Sequence, residues 1–297
     1  MRFHYHRAMP DLLTLDCAGR PLCLDRPRIM GVLNVTPDSF SDGGRFHEPE
    51  TAVAHARAMV DAGADIIDVG GESTRPGSEP VSVEEELRRV IPVLTALRAE
   101  LAVPLSIDTS KPEVMRSAVA AGAGLINDVN GLRAPGALPA AAESGAAICV
   151  MHMQGTPRSM QREPRYHDVV GEVRAFLAER ASTLRGTGVP ASRIVLDPGF
   201  GFGKTLEHNV ALFRGLPELM SLGYPVLVGV SRKSMLGAIL GGRPVGGRIM
   251  GSAVAAALAA GYGAQIVRVH DVAATADALA VQVALGRTMG RPTTGER

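Results

Sequence analysis

Residues 193–205 read Arg-Ile-Val-Leu-Asp-Pro-Gly-Phe-Gly-Phe-Gly-Lys-Thr, and this stretch carries the pattern that decides the fold. A short apolar run, 194–196, ends in the carboxylate of Asp197, and Pro198 with Gly199 then stops the strand. A carboxylate is costly to bury without a partner, so an Asp at the end of an apolar strand indicates a position that faces a ligand. Such positions lie at the carboxyl ends of the strands in parallel sheets. The stretch therefore predicts one strand–loop–helix unit of a parallel α/β fold.

The glycine-spaced loop that follows, 199–203, resembles a nucleotide-phosphate loop, but one residue breaks the pattern. The motif Gly-x-x-x-x-Gly-Lys-[Ser/Thr] requires a glycine five residues before Gly203, and Pro198 stands at that position. The loop instead places two aromatic rings, Phe200 and Phe202, between the strand end and Lys204. A phosphate-binding loop is therefore not predicted here.

The same alternation of strand and helix recurs along most of the chain. Short β-rich runs are predicted at 28–35, 65–70, 104–108, 124–129, 147–152, 193–197, 225–230 and 265–270. Helices are predicted at about 49–62, 82–100, 111–121, 135–144, 167–187, 207–220, 232–240 with 248–260, and 272–286. Strict alternation implies right-handed crossovers and a parallel sheet. Eight such units in 297 residues favour a closed (β/α)8 TIM barrel, with an open doubly wound sheet as the alternative.

The domain organisation is simple. Two short β-rich runs flank Ala18-Gly19-Arg20, so residues 1–27 are predicted to be an N-terminal β-hairpin extension. No tract rich in Pro, Ser or Gly divides the remainder, so residues 28–290 are predicted to form a single barrel domain, followed by a disordered tail at 291–297.

Local signals predict several helix ends. Ser82 followed by Glu85 predicts a capping box, and Ser110 ahead of Pro112 predicts a second N-cap. Glycines at 63, 122 and 223 stand where left-handed residues terminate helices.

Composition and charge exclude several classes of function. The chain is 46% hydrophobic and 21% charged, as in globular proteins. Its formal net charge of +1 argues against a nucleic-acid partner. No apolar run reaches the roughly 18–20 residues that span a bilayer, and the first residues lack the apolar core of a signal peptide, so neither membrane insertion nor export is expected. Three cysteines without metal spacing indicate reduced thiols and a cytoplasmic protein.

Almost every predicted strand ends in a polar or ionisable residue. These strand ends are Asn34, 72–75, Asp108, Asn127, 151–154, Asp197, 231–233 and 268–270. Any single Asp or Asn among them is also explained as a cap for the next helix. Eight polar strand ends that converge on one mouth are harder to explain by capping, and active sites of TIM barrels lie at that mouth.

The types of residue at the strand ends suggest a substrate. Carboxylates and an amide at 108, 127 and 197 suit a flat heterocycle rich in N–H donors. Arg75, Arg268 and His270 suit an anion such as diphosphate, although surface ion pairing is the alternative. Lys233 is predicted to donate to a carbonyl or ring nitrogen, with a Schiff-base lysine as the less favoured alternative. The runs His-Tyr-His (4–6) and Met-His-Met (151–153) lack further metal ligands at the needed spacing and are assigned to the tail and the core.

Two polar loops follow the first two strands of the barrel. The loop at 36–46 is long and glycine-rich, which is typical of an active-site lid, although a solvated turn is the plain alternative. The loop at 72–78 is similar and shorter.

Taken together, these segments resemble the dihydropteroate synthase family of bacterial folate biosynthesis. The matching segments are 30–43 (MGVLNVTPDSFSDG), 68–77 (DVGGESTRPG), 106–109 (SIDT), 127–129 (NDV), 151–155 (MHMQG), 197–204 (DPGFGFGK), 231–234 (SRKS) and 268–272 (RVHDV). They span about residues 28–286 in the order of the family. The departures are the first 27 residues and the glycine-rich connection at 241–247.

The resemblance implies a reaction and a site. The family joins 6-hydroxymethyl-7,8-dihydropterin diphosphate to 4-aminobenzoate and releases diphosphate. By resemblance, the pterin pocket would comprise Asp108, Asn127, Met151, Asp197 and Lys233, and the diphosphate would contact Asn34, Arg75, Arg268 and His270. Thr74 would also contact the pterin diphosphate. The 4-aminobenzoate would contact Thr74, Pro76, Phe202, Ser231 and Lys233. The catalytic residues would be Asp108, Asp197, Lys233, Arg268 and His270, and Asn34 would hold Mg²⁺ together with phosphate oxygens.

The resemblance also implies a mechanism and an assembly. We expect a dissociative, SN1-like reaction in which diphosphate leaves before the arylamine attacks. We also expect a homodimer, since the family commonly pairs through its late helices, and sulfonamides at the 4-aminobenzoate site.

Two other functions stay open at the level of sequence. A methyltransferase that passes a folate methyl group to a corrinoid protein shares the pterin pocket but has no use for residues 268–270 or 36–43. A degenerate paralogue would bind pterin without catalysis, and the intact first loop argues against it.

Overall fold

The computed structural model describes residues 14–35, 48–73, 77–156 and 159–286. Several predictions therefore lie outside the described residues. These are the His-Tyr-His run, the lid at 36–46, the site residues Thr74, Arg75 and Pro76, and the tail at 291–297.

Eight parallel strands form the centre of the molecule, and the predicted TIM barrel is confirmed. They are β3 (Arg28–Asn34), β4 (Ile66–Gly70), β5 (Leu105–Asp108), β6 (Leu125–Asp128), β7 (Ala147–Met151), β8 (Ile194–Asp197), β9 (Leu227–Val228) and β10 (Ile266–Val269). They pair in the order β8-β7-β6-β5-β4-β3-β10-β9. The two edge strands meet where Leu196 bridges Val226 and the Leu196 amide donates to the carbonyl of Pro225 at 2.9 Å. The sheet is thus nearly closed on itself.

Ten α-helices of the described residues lie between and after these strands. They are α1 (Glu48–Asp61), α2 (Val83–Glu100), α3 (Pro112–Ala120), α4 (Ala137–Glu143), α5 (Val169–Gly186), α6 (Leu206–Arg214), α7 (Leu216–Met220), α8 (Ser234–Ile239), α9 (Ile249–Gly261) and α10 (Val272–Leu285). The prediction of a single helix at 207–220 is wrong, because the helix is interrupted at Gly215, which separates α6 from α7. Pro217 lies in the first turn of α7, where its missing N–H is tolerated, whereas it would interrupt a continuous helix.

Two predicted caps differ from the structure. Ser82 accepts the Glu85 amide at 3.2 Å, but the Glu85 carboxylate pairs with Arg88 and Arg89, so only half of the predicted capping box forms. Ser110 does not cap α3, because its hydroxyl donates to Asp128 at 2.6 Å and Lys111 occupies the N-cap position. In both cases a stronger charged partner competes for the capping side chain.

The predicted N-terminal hairpin is present and closes the amino-terminal end of the barrel. Strands β1 (Thr14–Cys17) and β2 (Arg20–Cys23) pair antiparallel. Leu15 and Cys17 are almost fully buried, in one cluster with Met30, Ile66, Leu125, Ala147, Cys149, Val195, Leu227 and Ile266 of the barrel strands. A Cβ on Gly124 would lie 2.5 Å from the Cys17 carbonyl oxygen, so glycine is needed for this close approach.

The barrel strands carry an apolar layer and a polar layer. The apolar layer is the hairpin cluster just described, and residues two positions further along several of the same strands are polar. These polar residues are Asp68, Asn127, Asp197 and Arg268, each two residues after Ile66, Leu125, Val195 and Ile266. Because side chains alternate along a strand, both layers face the same side of the sheet. Polar groups therefore gather towards the carboxyl ends of the strands, which form the mouth of the barrel.

No helix of the described residues is long and apolar enough to span a bilayer.

Candidate active site

An arginine held between two carboxylates lies at the centre of the mouth. The Arg268 Nε atom of β10 donates to Asp68 Oδ2 at 2.6 Å, and its Nη2 atom donates to Asp108 Oδ2 at 2.8 Å. The Asn127 amide donates to Asp68 Oδ2 at 3.2 Å. Burial opposes the charge of Arg268, but Asp68 and Asp108 outweigh it and raise the pKa of the guanidinium. Four strands, β4, β5, β6 and β10, thus meet in one ionic network.

This network leaves acceptor oxygens without donors. Asp68 Oδ1 and Asp108 Oδ1 are buried and have no hydrogen-bond partner among the described residues. A buried acceptor without a donor costs about 1–3 kcal/mol, so each calls for a proton or for a donor from a ligand. Burial raises the pKa of Asp108 to about 7, against the opposing attraction of Arg268. Asp108 therefore changes charge near neutral pH.

A second carboxylate, Asp197 at the end of β8, and Lys233, in the segment between β9 and α8, attract each other electrostatically. Asp197 Oδ1 accepts the Gly199 amide at 2.7 Å. Burial raises the pKa of Asp197, although Lys233 and the Gly199 amide both favour its charged form. Burial likewise lowers the pKa of Lys233 to about 8, with the attraction of Asp197 opposing that shift. Each group is thus stabilised in its charged form by the other.

Lys233 also touches the loop that follows β8. Its Nζ atom donates to the Phe200 carbonyl at 2.5 Å and lies 4.7 Å from the centre of the Phe202 ring. An ammonium above an aromatic face is favourable, and the ring gives a flat surface next to the charge. The arrangement suits an aromatic ligand that carries a polar group.

Ser231 and His270 join the loops after β9 and β10. The His270 amide donates to Ser231 Oγ at 3.1 Å, and His270 Nδ1 lies 3.1 Å from the same hydroxyl. Beside them, Arg232 forms a bidentate pair with Asp271, the residue after His270, with its Nε donating to Oδ2 at 2.9 Å. The two loops are therefore cross-linked by side chains directly beside Lys233.

Asn34 ends β3 at the same mouth, next to Gly70 of β4 in the register of the sheet. A Cβ on Gly70 would contact the Asn34 amide oxygen at 3.5 Å, so glycine leaves space beside this oxygen. The Asn34 side chain makes no hydrogen bond within the described part of the chain. One neutral oxygen at this strand end fits a magnesium ion, which binds through few protein ligands together with phosphates and water.

The structure brings the predicted and described site residues to one end of the barrel. Asp108, Asn127, Arg268, Asp197 and Lys233 are linked by hydrogen bonds or by direct attraction, and Asn34, Met151, Phe202, Ser231 and His270 lie at or beyond the same strand ends. Arg268, which the resemblance assigns to the diphosphate, is paired here with the carboxylates.

Sequence reasoning missed two parts of the site. Asp68 lies within the run Ile66–Gly70 and is fully buried, and a lone acid inside an apolar strand was the available signal. Lys204 is also buried, and its Nζ contacts His152 Nδ1 at 3.0 Å. His152 thus belongs to the core, as predicted for the Met-His-Met run. Among the described residues, no group of three His, Cys, Asp or Glu side chains is placed to hold a metal.

Comparison with known proteins defines the class. A family model described as "Pterin binding enzyme" matches residues 30–270. The match spans the barrel from β3 to the end of β10, and it includes each described residue of the ionic network. The chain therefore belongs to the pterin-binding enzymes.

Individual relatives narrow this class. The dihydropteroate synthase of Escherichia coli strain K12 is 51% identical over 269 residues, covering 91% of this chain and 95% of that protein. The solved structure of Xanthomonas albilineans dihydropteroate synthase with 4-aminobenzoic acid has a TM-score of 0.87 at 55% identity, covering 92% of this chain and 98% of that one. The complex from the same organism with 7,8-dihydropteroate has a TM-score of 0.84 at 53% identity, with the same coverage. Within the pterin-binding enzymes, the chain belongs to the dihydropteroate synthase family of transferases.

Proposed function

We propose that this chain condenses (7,8-dihydropterin-6-yl)methyl diphosphate with 4-aminobenzoate to give 7,8-dihydropteroate and diphosphate. The observation that carries the proposal is the network in which Arg268 joins Asp68 and Asp108 beside Asn127, because it leaves buried acceptors for a donor-rich heterocycle. The similarity to a relative solved with 4-aminobenzoic acid and with 7,8-dihydropteroate supports the arylamine substrate and the product.

The pterin would bind at the polar layer of the barrel. Asp108 and Asp197 would accept from its N–H groups, Asn127 would both donate and accept, and Met151 would pack against the ring. Lys233 would donate to a ring nitrogen or carbonyl from the side of Asp197. Asp68 would act through Arg268 and Asn127, which it holds by hydrogen bonds.

The diphosphate would lie at the rim of the mouth. Asn34 at the end of β3 and His270 after β10 would contact it, and Arg268 would act on it while paired with the carboxylates. Thr74 and Arg75 would complete the subsite from outside the described residues. Asn34 would hold Mg²⁺ with phosphate oxygens and water. When bound, Mg²⁺ would neutralise charge on the phosphate oxygens.

The 4-aminobenzoate would stack near Phe202 with its amine directed at the pterin methylene. Ser231 and Lys233 would contact it from the loop after β9, and Thr74 and Pro76 from the loop after β4. A sulfonamide, which resembles 4-aminobenzoate in shape and charge, would compete for this position.

The mechanism that fits this arrangement is dissociative. Arg268 and His270 would stabilise the charge that develops on the leaving diphosphate. The pterin methylene cation would be countered by Asp108 and Asp197, whose carboxylates lie within the barrel mouth. The arylamine would then attack, and its proton would leave to solvent or diphosphate. None of the described residues is required as a covalent nucleophile.

The experiment that tests this function is diphosphate release. The purified protein is given the pterin diphosphate and Mg²⁺, with and without 4-aminobenzoate. We expect stoichiometric formation of diphosphate and dihydropteroate only when both substrates are present. A protein that binds the pterin diphosphate but releases no diphosphate with the arylamine would contradict the proposal.

We further propose a cytoplasmic homodimer that pairs through its late helices. Large apolar side chains are exposed along α9, among them Met250, Val254 and Leu258. Leu285 at the end of α10 is 80% exposed, and α10 packs on α9. Exposed apolar patches of this kind mark association surfaces. Leu258→Asp is expected to yield monomers in sedimentation velocity, whereas Glu179→Asp on the remote helix α5 serves as a control that leaves the mass unchanged.

A further inference from the structure

Lys204, the last residue of the glycine loop, has no part in the proposed chemistry, yet its ammonium group is buried and fully engaged. Its side chain is 3% exposed. Its Nζ atom donates to the carbonyls of Gly199 at 2.9 Å and Phe202 at 3.1 Å, and it contacts His152 Nδ1 at 3.0 Å. Burial lowers the pKa of Lys204 to about 7, and the attraction of Asp197 opposes this shift. In its charged form the group has three N–H donors, which match these three acceptors.

The contact with His152 links the protonation of the two groups. Lys204 in its charged form can only donate, so Nδ1 then carries a lone pair and the imidazole is neutral with its proton on Nε2. Burial and the positive charge of Lys204 lower the pKa of His152 to about 3, in agreement with a neutral ring. The ring is also held by edge contact with Phe176 at 5.0 Å between centroids. His152 is therefore a rigid acceptor.

Lys204 donates to the carbonyls of Gly199 and Phe202, and the segment between these two residues contacts Lys233. Gly199 and Phe202 are joined by a backbone hydrogen bond of 3.1 Å, which makes 199–202 a tight turn. Between them, the Phe200 carbonyl accepts from Lys233, and at its end the Phe202 ring lies under the same ammonium. The orientation of this turn thus sets both contacts of Lys233.

We infer that Lys204 and His152 are positioning residues, which fix the turn 199–202 so that Phe202 and Lys233 form one face of the arylamine site. The inference rests on the proposed function only for the identity of the arylamine. The geometric part, a buried lysine that fixes this turn, stands independently of it. Neither residue touches substrate or reacting atoms in this account.

Other anchors act on different residues of the loop. Asn209 accepts the Gly201 amide at 2.7 Å, and Tyr166 donates to the Gly203 carbonyl at 2.8 Å. They keep the loop attached to the barrel when Lys204 is replaced. Loss of Lys204 is therefore expected to loosen the turn at Gly199 and Phe202 without detaching the loop.

The test uses a matched pair of variants at His152 together with Lys204→Met. In His152→Asn, the amide oxygen takes the place of Nδ1 and retains the acceptor, whereas His152→Leu removes it. We expect His152→Leu and Lys204→Met to raise the KM for 4-aminobenzoate about tenfold, the scale of one lost charged hydrogen bond, and the KM for the pterin diphosphate much less. His152→Asn is expected to stay within about threefold of wild type for both substrates.

A readout without catalysis separates this inference from the proposed function. Amide hydrogen exchange of peptides that cover 199–203 is expected to accelerate in Lys204→Met and His152→Leu, but not in His152→Asn. If the wild type is inactive with these substrates and the exchange pattern appears, the proposed function fails and the positioning role stands. If the variants lose thermal stability while the KM for 4-aminobenzoate and the exchange of 199–203 match wild type, the inference is overturned.

Discussion

At the residue scale, the site depends on charges that are held partly out of water. Arg268 is shared by Asp68 and Asp108, and Lys233 faces Asp197, so each charge has a partner of opposite sign. A ligand that offers N–H donors to the carboxylates replaces water without breaking these pairs.

The carboxylate of Asp197 provides the first prediction. Asp197→Asn keeps the volume and the oxygen that accepts the Gly199 amide, but it removes the charge that would counter the cationic intermediate of the proposed mechanism. We expect turnover to fall at least about tenfold, in line with a charged contact worth roughly 1.5–3 kcal/mol. Steady-state diphosphate release measures it, with circular dichroism as the control for folding. Turnover equal to wild type would remove Asp197 from the mechanism.

The raised pKa of Asp108, about 7, provides a prediction about pH. In the proposed function the charged form of Asp108 accepts from the pterin, and the population of this form grows as pH rises through the pKa. We therefore expect kcat/KM for the pterin diphosphate to increase between about pH 6 and pH 8, since this parameter reports groups of the free enzyme. Asp108→Asn has no titrating group at this position, so its lower kcat/KM should lose that rise. An identical pH profile in the variant would assign the titration to another group.

At the element scale, the loops at the mouth are fixed by backbone contacts as much as by side chains. Arg232 has a φ of 59°, which is unusual for a residue other than glycine. Its amide donates to the buried Ser252 Oγ of α9 at 2.9 Å, and its carbonyl accepts from Arg248 at 2.9 Å. The first turn of α9 thus holds the backbone just before Lys233. In the loop after β8, glycines adopt the positive φ that Arg232 adopts in the loop after β9.

Two glycines with similar backbone angles allow a matched test. Gly199 has a φ of 69°, and a Cβ there would lie 1.9 Å from the His152 carbonyl oxygen. Gly223 has a φ of 80° with nothing within 4 Å of the added Cβ. In both variants, alanine in the left-handed conformation destabilises the fold by about 1–2 kcal/mol. Only in Gly199→Ala must the backbone of the neighbouring strand end also move to make room for the new Cβ.

In urea denaturation, the free energy of unfolding of Gly223→Ala should fall by about 1–2 kcal/mol, and that of Gly199→Ala by clearly more. Gly199→Ala should also lose turnover, because the Gly199 amide donates to the Asp197 carboxylate and so helps to hold it in position. Equal stability losses in the two variants would show that the clash relaxes freely.

At the scale of the whole molecule, the barrel separates stability from chemistry along its axis. The hairpin β1–β2 and the apolar layer close one end, and the ionic network occupies the other. Leu15 is fully buried in the apolar layer. Changes there are expected to act on the free energy of unfolding and to leave the site as it is.

Leu15→Ala tests this separation. We expect the variant to lose about 2–5 kcal/mol of unfolding free energy, as for other buried leucines. The KM values for both substrates should remain at wild-type levels at a temperature where the variant is folded. Thermal denaturation and initial rates provide the two measurements. Altered KM values with unchanged stability would show that the hairpin communicates with the mouth.

The sequence predicted the elements better than the contacts between them. The eight strands follow from local apolar runs, and the glycines at 63, 122 and 223 all have positive φ, as predicted for helix ends. The failures concern partners that are distant in sequence. Arg268 and Asp68 are 200 residues apart, so no local pattern pairs them. Likewise, no local sequence signal near Ser110 predicts that its hydroxyl donates to Asp128, which lies on the next strand.

The short strand β9 affects how firmly the barrel is closed. Only Leu227 and Val228 form this strand, and an isolated bridge at Leu196 joins this edge of the sheet to β8. Few backbone contacts therefore close the barrel at this junction, which we call the seam. Asp197 and Lys233 follow the two sides of that seam. Any widening of the seam pulls their opposite charges apart, and their attraction resists it. The attraction that would support the proposed chemistry therefore also opposes opening of the barrel between β8 and β9.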